Sequence, residues 1–124
     1  MKYLVSLVFL LLASCGQNFN SNSGDFALSS DNGIDSSTPA GSRLSAAYDV
    51  LKSNCMSCHT GYHNAWANYK TDSEWITKGL AVRGDTTSSQ VYDRLKNVGG
   101  DMPLNSPQIS DSNRQIIENW ILGL

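Results

Sequence analysis

The chain has 124 residues, enough for one domain, with 9 Lys or Arg against 11 Asp or Glu and a formal net charge of −2. From residue 43 onward basic and acidic residues are equal in number, so no basic face suited to nucleic acid is expected. Three cysteines are too few for a disulfide scaffold, and an odd count calls for more than one explanation.

Lys2 supplies a short positive start, and Leu4 to Leu12 is an apolar run too short for a permanent membrane span but suited to an export signal. Leu12-Ala13-Ser14-Cys15 then looks like the lipobox of bacterial lipoproteins. That resemblance implies a signal peptide over 1–14 and cleavage that leaves Cys15 as a lipidated N-terminus. An ordinary secretory signal would instead leave Cys15 a free thiol, a liability in an oxidising compartment. Two or more acyl chains give stable attachment, so the expectation is a protein anchored to a bilayer through Cys15. Gly16 follows, where many lipoproteins kept at the inner membrane carry aspartate, which favours an outer membrane and the periplasmic side.

From Gly16 to Ser42 the composition turns to Ser, Asn, Gly and Asp, with Phe19, Phe26, Leu28 and Ile34 scattered without period. Such a segment buries too little apolar surface to offset its ordering entropy and reads as a flexible tether spanning about 26–31 Å, with an N-terminal arm packed on the domain as the alternative. The domain organisation expected is therefore signal 1–14, lipidated Cys and linker 15–42, and one folded domain over 43–124.

Within that domain Leu44, Ala47, Tyr48 and Leu51 recur at the spacing of one helix face, with Ser42 able to cap the start. Cys55 lies eleven residues beyond Leu44, about three turns, so a helix continued that far presents it on the same apolar side. The next residues form Cys55-Met56-Ser57-Cys58-His59. Two thiols three residues apart with an imidazole directly after them are the arrangement that attaches a c-type haem: each sulfur forms a thioether to a vinyl group, and the histidine ligates the iron. Cys55, Cys58, His59 and His63 could also be read as zinc ligands, but zinc fingers separate the two pairs by a dozen or so residues. A thioredoxin-like redox pair would need a strand-helix-strand context that is missing here.

After His59 the run Thr60 to Asn64 is loop-like, with Trp66 and Tyr69 at helical spacing beyond it. Thr71-Asp72-Ser73-Glu74 has the form of a capping box and predicts a short helix from Asp72 to about Lys78, Trp75 and Ile76 inward, ended by Gly79. A turn round Arg83-Gly84-Asp85 leads to a third helix, capped by Ser88 or Ser89, whose face is Val91, Tyr92, Leu95 and Val98 and which Gly99-Gly100 stops. Met102 precedes Pro103 and is held in a non-helical strap. Ser110 caps a last helix with the stripe Ile116, Ile117, Trp120, Ile121 and Leu124, for which the first helix is the best partner. No segment alternates with a period of two, so the fold class expected is all-α.

In this order of parts, residues 43–124 resemble the small monohaem class I cytochromes c: a helix leading into Cys-x-x-Cys-His, a later Met-Pro strap and a terminal helix with Trp120-Ile121 near its end. The resemblance implies four or so short helices round one covalently attached haem c, first and last helices crossing, with His59 as proximal and Met102 as distal ligand. Elimination agrees on Met102, because Met1 leaves with the signal and Met56 lies between the attachment cysteines. A gap-filling core methionine is the plain alternative for Met102, and His63 the rival ligand. Relatives often orient the proximal histidine with a carbonyl from a proline soon after the motif; the prolines here are Pro39, Pro103 and Pro107, so another carbonyl between about residues 60 and 70 must do so. Trp75, Tyr69 and Arg83 are candidate partners for the haem propionates.

The expected function is electron carriage between redox proteins or within a membrane electron-transfer complex, by a monomer that is not an enzyme. A peroxidase-like haem enzyme would need an open iron site with Asp101 or His63 as acid-base groups, and a gas or redox sensor would need a displaceable Met102.

Overall fold

The computed structural model of the chain describes residues 32–95 and 99–124. The expected export signal, Cys15, the expected tether as far as residue 31, and Val98 lie outside them. Helix α1, Pro39–Cys55, begins earlier than Ser42: Thr38 is its cap, with the side-chain oxygen accepting from the Gly41 amide at 3.0 Å, and Pro39 takes the first helical position, where its missing N–H is no loss. Leu44, Ala47, Tyr48 and Leu51 are buried along one face, as their spacing predicts, and Val50 with them. The helix ends on Cys55.

A 3-10 helix, Gly61–Asn68, follows in place of the expected loop. Helix α2, Asp72–Thr77, opens on the predicted capping box: Glu74 accepts from the Thr71 amide at 2.9 Å while its own amide donates to the Thr71 hydroxyl. Trp75 is buried and Ile76 partly so. Helix α3 is Gln90–Leu95. Neither candidate serine caps it with a hydroxyl bond. The Ser89 hydroxyl, fully buried, accepts from the Val82 amide at 2.8 Å and donates to the Asp85 carbonyl at 2.6 Å, which closes the turn round Gly84; the Ser88 amide is held by the Asp85 carboxylate. Met102 sits in non-helical chain before helix α4, Asp111–Leu122, whose cap is Ser110 as predicted.

Helices α1 and α4 pack on each other. Leu44, Ala47, Ile117 and Ile121 are almost wholly removed from water, each larger one contributing about 1.5–3 kcal/mol. Arg43 adds a bond to the Gly123 carbonyl at 2.8 Å, and the Gly84 amide reaches the Ile121 carbonyl at 3.0 Å. Trp75 and Trp120 meet edge to face, centroids 5.2 Å apart, and the Trp120 indole N–H donates to Asp72 at 2.8 Å, which ties α2 to α4. Arg114 is buried on α4, donating to the Ile109 carbonyl and to Asp111.

The folded body also takes in residues that composition assigns to the tether. Asn32 and Ile34 are buried; the Asn32 amide donates to the Ser45 hydroxyl and to Asp49, both at 2.9 Å, and its oxygen accepts from the Ile34 amide. The boundary at residue 43 is therefore too late by at least eleven residues' worth of chain, from Asn32 to Ser42. Among the described residues there is no strand beyond an isolated bridge between Val82 and Asp85, and no helix long and apolar enough to cross a membrane. The architecture is all-α in the residues described.

Candidate functional site

The Cys55 to His59 segment is a turn built on the end of α1. The Cys55 carbonyl, one of the last four that a helix leaves without an intrahelical partner, accepts from the amides of both Cys58 and His59, at 3.2 and 2.9 Å. That closure folds the motif back beside Cys55. Gly61, at φ +65°, then reverses the chain into the 3-10 helix, a conformation open to glycine without strain. The reversal returns the His63 carbonyl to the His59 ring, 3.3 Å from Nδ1. A carbonyl only accepts, so in this bond Nδ1 carries a proton, which in the neutral ring leaves the lone pair on Nε2, the tautomer a metal-ligating imidazole needs. The carbonyl between residues 60 and 70 that meets the His59 ring is that of His63. The 3-10 helix is itself fixed to α1, since the Tyr48 hydroxyl donates to the Ala67 carbonyl at 2.7 Å.

Beside this turn is a cavity of about 490 Å³, within the range of ligand sites and far above the voids of a packed core. Leu51, Trp66, Trp75, Leu80, Val91 and Leu95 form its apolar wall; Cys55, His59, His63 and Met102 border it; Gln90 and Arg94 are its other polar side chains. A neighbouring cavity of about 240 Å³ shares Cys55, His59, His63, Leu95 and Met102 and adds Asn54, Cys58, Pro103 and Leu104. All four residues singled out from the sequence, Cys55, Cys58, His59 and Met102, therefore border one hollow. Met102 reaches it because its amide donates to the Arg94 carbonyl at 3.0 Å, at the end of α3.

The other candidates fare differently. Trp75 lines the larger cavity, but its indole N–H donates to the Tyr69 carbonyl at 3.2 Å. Tyr69 packs edge-on against Trp75, and neither Tyr69 nor Arg83 borders either cavity. Gln90 and Arg94, which the sequence reading did not single out, border the larger cavity. Their signal was present in the sequence, since positions 90 and 94 share a helix side with Val91 and Leu95. Asp101 borders neither cavity and pairs with Arg94 at 2.9 Å.

The chemistry of the donor set narrows the choice of group. Among the described residues no three of His, Cys, Asp and Glu gather as a metal-holding cluster, so a zinc site lacks its ligands. Burial, followed by the neighbouring Cys58, pushes the Cys55 thiol up, the reverse of the lowered thiol that a redox dithiol uses at a helix N-terminus. A planar apolar group tethered through both sulfurs, with His59 Nε2 and the Met102 thioether as donors, fits the apolar wall and the residues at its mouth. No known protein family, curated protein or solved structure matches the chain.

Proposed function

We propose that the chain is a lipid-anchored monohaem c-type cytochrome of the small class I kind, carrying single electrons between redox partners at the periplasmic face of a membrane. The observation that carries the reading is the apolar cavity of about 490 Å³ bordered by Cys55, His59 and Met102, with Cys58 on its smaller neighbour. The helix order and the packing of α1 on α4 support it further. Bound there, a haem supplies reversible one-electron exchange, at a potential that His/Met ligation raises.

The chain's own residues do the rest. Cys55 and Cys58 hold the macrocycle by thioethers. His59, with Nδ1 engaged by the His63 carbonyl, presents Nε2 to the metal, and Met102 presents sulfur. Leu51, Trp66, Trp75, Leu80 and Leu95 exclude water, and Gln90 and Arg94 are the polar groups placed to meet propionates. Leu104, two-thirds exposed beside Pro103 at the smaller cavity, offers partners an apolar lip. With acidic and basic residues nearly balanced in the body, docking relies on that lip more than on long-range charge steering.

The test is the protein purified from the exported fraction. Haem that stays with the chain under denaturing conditions, a weak sulfur-ligation band at the red end of the oxidised spectrum, and slow carbon monoxide binding by the reduced form are expected. Met102→Ala abolishes the band and opens the iron to carbon monoxide. Absence of covalent haem, or a Met102→Ala spectrum unchanged from wild type, refutes the reading.

A further inference from the structure

Met102 has three rotatable side-chain bonds, so its sulfur is only as well placed as the backbone behind it. That backbone is held from α3 by one residue acting twice. The Arg94 carbonyl accepts from the Met102 amide at 3.0 Å, and the Arg94 guanidinium pairs with Asp101 at 2.9 Å. Arg94 also borders the larger cavity, so the same residue faces the hollow and grips the strap that closes it. Just beyond Met102, Leu104 stands out in solvent, and the chain is next buried at Ile109.

We propose that Arg94 is a positioning residue for the distal ligand: its ion pair with Asp101 keeps the Met102 thioether seated, and the hold of Met102 on the iron is therefore salt-dependent. This rests on the haem reading above. Both partners are about half exposed, 47% and 58% at the side chain, which places the pair among those whose loss shifts an equilibrium by about 1.4- to 5-fold. Salt screens it, because the Debye length falls from about 30 Å at 0.01 M to about 3 Å at 1 M.

The experiment follows carbon monoxide binding to the reduced, haem-loaded full chain, whose rate reports how often Met102 is detached; carbon monoxide is uncharged, so salt acts on the protein alone. In wild type the rate rises about 1.4- to 5-fold from low to high salt. Arg94→Gln and Asp101→Asn each begin at the raised rate and lose most of the salt dependence. Asp101→Glu, which keeps the charge and leaves Arg94 at the cavity, retains the slow rate and most of the dependence. Asp101→Asn with the wild-type rate and salt profile overturns the proposal, as does an Asp101→Glu variant no slower than Asp101→Asn. Failure of the haem reading is separate and visible beforehand, as missing covalent haem or a missing red-end band in wild type.

Discussion

Replacing Tyr48 by phenylalanine tests whether the motif's surroundings are held from α1. Tyr48 is 4% exposed, and its hydroxyl has two bonds: it donates to the Ala67 carbonyl at 2.7 Å and accepts from the Lys70 ammonium at 2.6 Å. Phenylalanine keeps the ring, including its contact with Trp66 and the Lys70 ammonium 3.8 Å above the centroid, so the change isolates the hydroxyl. A neutral bond is worth about 0.5–1.5 kcal/mol and a charged one about 1.5–3. Lys70 and Ala67 are only partly buried and recover some hydration, which reduces the expected loss to about 1–2 kcal/mol. Thermal unfolding should show a midpoint lowered by about 4–8 °C per kcal/mol. Because the loosened segment carries the His63 carbonyl, exchange of the His59 ring proton, followed by NMR, should quicken by about 5- to 30-fold. A stability change within about 0.5 kcal/mol, the range of an inert surface substitution, refutes the reasoning.

Two further perturbations probe the frame around the site. Gly41→Ala places a Cβ 1.8 Å from the Asp35 carbonyl oxygen, so although alanine gains about 1 kcal/mol over glycine in an open helix, the backbone must move and a net loss of about 1–3 kcal/mol is expected; an unchanged or raised urea midpoint contradicts it. Glu74 is held below its ordinary value of 4.5, first by the Lys70 amide and then by the Thr71 hydroxyl. The unfolded chain then binds more protons just below that value, so the stability due to this carboxylate is complete above it and is lost as pH falls through the lowered folded value. Glu74→Gln should flatten the dependence of the urea midpoint on pH in that acid range, and an unaltered slope would show that the carboxylate makes no such contribution.

Helices with periodic apolar faces and local caps were legible from the residues alone. Leu44 to Leu51, the Thr71-Glu74 box and Ser110 each express structure within a few neighbouring positions, and the chain follows them. The start of α1 was misread because the apolar period begins at Leu44, while the Thr38-Pro39 signal lies inside polar sequence. Asn32 escaped for a related reason: a buried asparagine whose amide reaches across to Ser45 and Asp49 leaves no mark on composition. In the site, the bordering side chains Cys55, Cys58, His59 and Met102 could be named beforehand, whereas the His63 carbonyl could not. Every residue carries a carbonyl, and only the turn at Gly61 decides which one meets His59. Ser89 was assigned to a cap that its position suggests, but the nearby Val82–Asp85 turn competes for the hydroxyl and wins.

The two halves of the site differ in what holds them. His59 is placed by contacts within a few residues: the Cys55 carbonyl behind it and the His63 carbonyl ahead. Closing such short loops costs little chain entropy, so this half can form as soon as α1 does. Met102 lies more than forty positions further on and reaches the hollow only once α3 supplies the Arg94 carbonyl and the Asp101 partner. The described part of helix α3, Gln90–Leu95, is short for a helix standing alone, and Leu95 and Val91 seat it against the core. The histidine side of the cavity is therefore built by local backbone geometry, and the methionine side by tertiary packing. Any condition that loosens α3 should release Met102 before it disturbs His59, which makes the methionine side the part of the site that sequence changes far from the motif can most readily tune.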